Sequence, residues 1–570
     1  MTPGGATPSP SAAAAPGGAA GRGPNIAGAL FAMAEDRPDD VAIWFPKGPR
    51  RQGRARYVAT TYRDLARDVT RIAAGLSTVG IGRGTRCALM VKPGPDFFAL
   101  AFGLFHAGVV PVVIDPGIGL PSLKTCLAEA RPEAFIGIPQ AHVARVVLGW
   151  ARGTVRRLVT VGPRLGWGGH ALDAIRREGE RAQGWQPPAV QEDETAAIVF
   201  TSGSTGIPKG VVYTHGNFAA QVRMLRASLA LSPGDVDVPT FPLFALFDPA
   251  LGLSTVLPRM DFTRPAEVDP REILDPVRLF GARSLFGSPA LLDRVGRWAA
   301  PRGEKMPSLR CVMSAGAPVP ADVILRFTSL LEPDARLVTP YGATESLPVA
   351  IMAHDEILRE TAARTERGAG VCVGRPVDGV RVEIIRISDE PIEAWTDSLR
   401  VEGGAIGEIV ASGPNVTRSY FGRDEATRLA KIAGADGEIL HRMGDLGWRD
   451  ASGRIWFCGR KSHRVVAESG TLFTEPCEAP FAADPRVRRA ALVGVRRRGK
   501  VLPVVCVELE PGPKPDRAAL LRDLASIARA HEHTRAIETF LVHPSFPVDI
   551  RHNSKIFREK LAVWADGELP

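Results

Sequence analysis

The apolar positions of this chain change spacing repeatedly between residues 26 and 190, and each change marks an element. YRDLARDVTRIAAGLSTVGI (62–81) reads as a helix, CALMV (87–91) as a strand, and VVPVVIDPG (109–117) as a strand running into a turn. Apolar strands alternating with Ala/Leu-rich helical stretches predict α/β architecture. The most lipid-like run, Phe97 to Ile114, is interrupted by His106, Gly108 and Pro111. It therefore predicts a helix, a glycine-centred turn and a buried strand rather than a membrane span.

A second pattern begins at AAIVF (196–200), a short buried strand that ends where TSGSTGIPKG (201–210) begins. Gly203 and Gly206 allow close backbone approach, so the backbone N–H groups and the hydroxyls of Thr201, Ser202, Ser204 and Thr205 can form an anion nest beside Lys209. The spacing is not that of a Walker A loop, because Pro208 stands where the second glycine belongs. GVVYT then reads as a second strand, and Asn217 as the cap of a helix with apolar positions Phe218, Val222, Leu225 and Leu229. LRCVMSAGAPVP (309–320) and ARLVTPYGATES (335–346) repeat the design of a strand followed by a glycine-containing loop with hydroxyls. Three such junctions predict loops at the carboxyl ends of strands, where open α/β sheets bind ligands. GEIVASGPNV and GRIWFCGRK read as β hairpin material. From Arg464 onward the pattern predicts a small α+β unit of strands and two helices, with a boundary near residues 459–462.

Composition narrows the class. The 570 residues exceed what one core accommodates. Seven cysteines stand singly with no CxxC pair, which excludes a zinc ribbon or a disulfide framework and fits a reducing cytoplasm. Residues 1–25 are Ala/Gly/Pro/Ser-rich and predict a disordered tail with no signal peptide. Net charge is +9, and the one basic cluster, Arg486 to Lys500, lacks aromatic interleaving. It reads first as a solvated basic face and second as a surface for an acidic protein; no nucleic-acid motif accompanies it. His531 and His533 read as an exposed helical surface rather than metal ligands.

In this order, these motifs resemble the adenylate-forming superfamily of acyl-CoA synthetases, luciferases and peptide-synthetase adenylation domains, over about residues 26–565. The resemblance implies an α/β fold: a large N-terminal domain (26–459) with mixed sheets flanked by helices, plus a small mobile α+β C-terminal domain (460–570). TSGSTGIPKG resembles the family's phosphate loop, which implies nucleotide contacts from Thr201, Ser202, Gly203, Ser204, Thr205, Gly206 and Lys209. SAGAP resembles the adenine-side loop, with Gly316, Ala317 and Pro318. YGATE resembles the adenine, phosphate and magnesium motif, with Tyr341 and Gly342 on the nucleotide, Thr344 near the α-phosphate and Glu345 holding Mg²⁺. HRMGDLG resembles the ribose motif through Asp445, and GRKSHRV the hinge motif with Arg460 on ribose and phosphate. NSKIFREKL resembles the C-terminal lysine motif, which makes Lys555 catalytic. The cofactors implied are ATP and Mg²⁺. Joining a carboxylate to AMP needs positioning and charge stabilisation rather than a protein nucleophile, which suits this set.

Three positions depart from the superfamily pattern. Ala245 in FPLFALFDPALG stands where thioester-forming members commonly have an aromatic or His, Ser462 replaces the usual hinge Asp or Lys, and Ser554 replaces the Gly before the catalytic lysine. Taken whole, FPLFALFDPALGL, LFGSPALL, YGATES, CVGRPV, WFCGRKSHRV and FPVDIRHNSKI resemble one branch, the β-lactone synthetases of bacterial long-chain olefin biosynthesis. That resemblance implies adenylation of a 2-alkyl-3-hydroxy acid and closure of a β-lactone by its own hydroxyl. It also implies cytosolic partners: a β-lactone decarboxylase and a ketoreductase. A fatty acyl-CoA or acyl-AMP ligase is the alternative. Asp248 admits two readings, a proton acceptor for the hydroxyl or a helix N-cap before Pro249.

Overall fold

The computed structural model describes residues 23–48, 50, 55–201, 208–513, 515–548 and 556–569. The tail expected at 1–25 therefore falls almost wholly outside the described residues, as do Ser202 to Gly206, Ser554 and Lys555.

The alternating pattern of the first 200 residues builds a seven-stranded sheet. Its strands are parallel except where Thr195–Phe200 meets Gly210–Thr214. Parallel strands are covered by helices on both faces, which is why Ala134–Gly137 is buried at every position. Helix Tyr62–Thr78 and helix Pro95–His106 cover one face and helix Leu120–Ala130 the other, and Gly108 adopts the left-handed conformation (φ 65°) that turns the chain into strand Val110–Val113. Among the described residues no helix is long and apolar enough to cross a membrane.

A 14-stranded sheet carries the rest of the large unit. Its centre is parallel, through Val236–Pro239, Ser284–Phe286, Cys311–Met313 and Arg336–Ala343, and it continues antiparallel from Ser346–Ala353 to Arg381–Ile385. Gly407–Ser412 and Ile455–Arg460 do not form a hairpin with each other. Ile439–Arg449 lies between them and pairs with both.

The C-terminal segment has a three-stranded sheet, Val487–Arg497, Lys500–Leu509 and Thr539–Val542, over its own core of Leu492, Val505, Leu520, Leu524 and Phe540. Among the described residues three helices pack here, not two: Thr474–Ala482, Arg517–Ala530 and Arg558–Glu568. The first contains Pro476 and Pro480, which mask it in sequence because proline reads as a breaker. Two local expectations are also corrected. Thr214, not Asn217, caps helix His215–Leu229; Asn217 is the third helical residue and completes a capping box. His531 and His533 follow the end of helix Arg517–Ala530 instead of lying on its surface, and His533 is half-buried.

The Arg486 to Lys500 cluster is largely consumed internally. Arg486 pairs with Asp484 and Asp523, Arg488 and Arg489 with Glu508, Arg497 with Asp566, and Lys500 with Glu468. These pairs offset much of the cluster's charge within the protein.

Candidate active site

The strands that lead into the predicted loops belong to two sheets. Thr201 directly follows strand Thr195–Phe200 of the seven-stranded sheet. Its N–H donates to the Lys209 carbonyl (3.0 Å), and Lys209 N–H to Thr201 Oγ1 (3.4 Å), so the hydroxyl loop leaves and returns at one point. From the 14-stranded sheet, Cys311–Met313 runs into Ser314–Pro318. There Gly316 takes φ 99°, a conformation that L side chains rarely adopt, and Ala317 and Pro318 follow it on the surface side.

YGATE differs from expectation. Strand Arg336–Ala343 continues through Tyr341 and Gly342, so the loop is only Thr344–Glu345, the tip of a hairpin in which Ala343 faces Ser346. A side chain at Gly342 would put a Cβ 2.6 Å from the Ser346 carbonyl, so close pairing of the hairpin requires glycine. The tip is held from outside. Tyr213 donates its hydroxyl to the Thr344 carbonyl, Thr417 donates N–H (2.9 Å) and hydroxyl (3.1 Å) to the Glu345 carbonyl, and Tyr420 donates to Glu345 Oε1 at 2.6 Å. Burial, and then the Glu345 charge, raise the Tyr420 phenol far above its ordinary range, so it stays a neutral donor. The Lys209 ammonium sits 4.9 Å from the Tyr420 ring centre.

Asp445 and Arg460 join this group across adjacent antiparallel strands. Tyr341 Oη donates to Asp445 Oδ2 (2.7 Å), and Arg460 Nη1 lies 2.7 Å from Asp445 Oδ1. The angle of that ion pair leaves Oδ1 buried without a hydrogen bond. Burial raises the Asp445 carboxyl, and the Arg460 charge opposes the rise. Beneath the hairpin, burial pushes the Lys431 amine down to about 7, against the Glu345 charge. His441, opposite Lys431, is held well below its usual value by burial and by the Lys431 charge.

These residues fit a nucleotide and a magnesium ion. The buried, unpartnered Ser314 Oγ is a polar atom set up for a ligand, and the Asp445 carboxylate, ion-paired to Arg460, keeps acceptor capacity for one. Among the described residues no group of three His, Cys, Asp or Glu forms a metal cage. That is compatible with Mg²⁺, which takes one or two carboxylates and completes its shell with substrate phosphates and water.

Asp248 is not the N-cap expected for it. It is the first residue of helix Asp248–Leu251, behind Phe247 at the cap position, and its side chain caps nothing there. Instead it is buried, accepts from Thr255 Oγ1 (2.9 Å) and hydrogen-bonds to the Asp237 carboxyl, itself bonded to Ser284. The two acids face a cavity of about 20 Å³ with Phe244, Phe247, Leu225 and Phe286. Burial raises both: Asp237 to about 6, and Asp248 well above the ordinary range, where the Asp237 charge adds to burial. An acid that keeps its proton is a poor base. Ala245 is fully buried in the same apolar wall, and Phe244 stacks on Phe286 at 4.3 Å between ring centres.

Tyr213, Asp237, Thr417, Tyr420 and Lys431 were absent from the sequence reading. Each acts through a partner distant in the chain or through burial, and none stands in a motif.

A paired-sheet fold whose strand-end loops converge on one polar site, with a separate small C-terminal unit, defines an adenylate-forming enzyme. The chain belongs to the AMP-binding enzyme family, whose model matches residues 30–421. It is 51% identical over 547 residues to the olefin beta-lactone synthetase of Xanthomonas campestris pv. campestris, covering 95% of this chain and 97% of that protein. It is likewise 51% identical over 551 residues to the olefin beta-lactone synthetase of Stenotrophomonas maltophilia, covering 96% and 98%. Among solved structures, the amide bond synthetase McbA from Marinactinospora thermotolerans superposes with a TM-score of 0.74 at 22% identity, covering 95% of this chain and 99% of that one. The o-succinylbenzoate coenzyme A synthetase of Bacillus subtilis, solved with ATP and a magnesium ion, gives 0.70 at 18% identity, covering 94% and 98%. These two likenesses carry the fold alone.

Proposed function

We propose that this adenylate-forming ligase is a β-lactone synthetase acting on long-chain 2-alkyl-3-hydroxyalkanoic acids. The observation that carries the proposal is 51% identity along 95% of the chain to an olefin beta-lactone synthetase. The fully buried Ala245 supports it, since a ring there, as thioester-forming relatives commonly have, would need a different wall.

In the first step a carboxylate oxygen attacks the α-phosphorus of ATP, the bond to the β-phosphate oxygen breaks, and pyrophosphate leaves. Lys209 and the hydroxyl loop bind the phosphates, Asp445 accepts from the ribose, and Tyr341 and the Gly316–Pro318 turn bracket the base. Glu345 holds Mg²⁺, which when bound offsets charge on the phosphates. Lys555, from a C-terminal domain spanning 460–570, supplies positive charge between carboxylate and α-phosphate. In the second step the substrate's 3-hydroxyl oxygen attacks the acyl carbon and loses its proton. AMP leaves and a four-membered ring closes. No outside acceptor is consumed. A ketoreductase that supplies the hydroxy acid and a decarboxylase that consumes the lactone complete the cytosolic sequence.

Comparison of a 2-alkyl-3-hydroxy acid with its 3-deoxy analogue tests the reading. Both should release pyrophosphate, but only the hydroxy acid should release AMP and turn over repeatedly. Equal AMP release from both would mean hydrolysis and defeat the proposal.

A further inference from the structure

Beneath the Glu345 hairpin lies a buried cation that the reaction scheme above does not use. Lys431 opens strand Lys431–Ala433, opposite His441, and is only 7% exposed. Its Nζ donates to the Thr417 carbonyl and lies 3.4 Å from Thr417 Oγ1. Thr417 is fully buried, and it donates both its N–H and its hydroxyl to the Glu345 carbonyl. Three residues further on, Tyr420 holds the Glu345 carboxylate. A chain of contacts therefore runs from one ammonium to the backbone of one carboxylate.

The fold gives no reason for a charge here. Among the described residues Lys431 forms no ion pair, and its hydrogen-bond partners are neutral oxygens of a single residue. An ammonium removed from water without a carboxylate partner destabilises a fold, and an unbranched apolar side chain would fill the same space without that cost. Glu345 is the acidic group whose field reaches Lys431, and His441, which faces Lys431 across the strand pair, is held neutral by burial and by the Lys431 charge. A buried amine retained against stability, hydrogen-bonded to the residue that holds the Glu345 backbone, is expected where function needs it.

We propose that Lys431 is a positioning residue: it clamps Thr417 to the Glu345 backbone so that the hairpin tip presents its carboxylate to the magnesium–polyphosphate end of the site. The proposal rests on Glu345 as the magnesium ligand. Groups that orient a metal ligand typically matter by 10–100-fold in metal affinity or activity.

The test compares Lys431→Met, Lys431→Arg and Glu345→Gln in the full chain, with pyrophosphate release measured against magnesium and ATP and with thermal unfolding of each variant. Lys431→Met should unfold no earlier than the parent, while its half-saturating magnesium concentration rises by about tenfold and kcat falls by a similar factor. The KM for the hydroxy acid should not move. Lys431→Arg, which restores charge and donors, should recover part of the loss. If Glu345→Gln shifts the magnesium titration and Lys431→Met does not, the Lys431 inference is overturned and the Glu345 assignment stands. If Glu345→Gln leaves the titration unchanged, the metal assignment itself fails and the Lys431 inference with it. Should Lys431→Met not fold, Lys431→Leu, which also cannot donate to Thr417, enters the same comparison with the same decisive outcomes.

Discussion

Asp445 and Arg460 face each other in register across two antiparallel strands, with Arg460 Nη1 2.7 Å from Asp445 Oδ1. Arg460 is the last residue of its strand, and the turn Lys461–His463 that follows is tied down by Lys461, 3.1 Å from the buried Glu408 and 2.8 Å from the Ser388 carbonyl. The carboxylate assigned to the ribose is thus paired with the residue from which the C-terminal segment departs. Asp445→Asn keeps the shape and removes the charge. ATP KM should rise by about 10–100-fold, the usual worth of a charged hydrogen bond, with the KM for the hydroxy acid little changed. Titration of initial rates against ATP checks it, and an unchanged ATP KM removes Asp445 from the nucleotide site.

Lys555 lies outside the described residues, and its assignment rests on the NSKIFREKL motif. Lys555→Ala should fold normally and lose pyrophosphate release by about two orders of magnitude or more, as expected when one transition-state charge contact is removed. Release close to the parent rate would show the motif assignment to be wrong.

The paired acids Asp237 and Asp248 predict a pH-dependent stability. Their folded-state pKa values lie above an unfolded value near 4, with Asp237 at about 6. Between those values the unfolded chain has released protons that the folded protein keeps. Stability from this source is therefore full below about pH 4 and declines as pH rises through 6 and beyond, by on the order of 2–3 kcal/mol. Asp248→Asn retains an oxygen for Thr255 and a donor for Asp237 without a titrating proton. Thermal unfolding between pH 5 and 8 should fall more steeply for the parent than for Asp248→Asn. The variant should also still form lactone, within about threefold of the parent rate, because a buried acid that holds its proton is a poor base. Loss of lactone closure with adenylation retained would restore the base reading.

All seven cysteines are free and buried, and burial pushes their thiols up, Cys372 to about 11 and Cys126, Cys311, Cys477 and Cys506 to about 12. A thiol reagent at pH 8 should find almost no thiolate in the native protein and seven equivalents after denaturation. Rapid reaction of the native protein would show that one of these sites opens readily.

What was legible in the sequence was local. Strand Thr195–Phe200, the turn at Gly108 and helix Tyr62–Thr78 follow from spacing within a few residues, and the motif residues Tyr341, Glu345, Asp445 and Arg460 are brought together in the fold. What was not legible depends on partners far away or on burial. Tyr213 meets Thr344 across 131 positions, and Asp248, read as a helix N-cap or a proton acceptor, is a buried acid beside Asp237 and Thr255. Helix Thr474–Ala482 hides behind its prolines. The strand at Tyr341 runs past its glycine because the hairpin partner approaches too closely for any other residue.

The central claim is that the acyl-adenylate is consumed by the substrate's own hydroxyl. Mass spectrometry of the products from ATP, magnesium and a synthetic 2-alkyl-3-hydroxy acid, with and without coenzyme A, tests it directly. The account predicts a β-lactone, lighter than the acid by one water, formed at the same rate in both reactions with one AMP per lactone. A product that appears only with coenzyme A, and is a thioester, would contradict it.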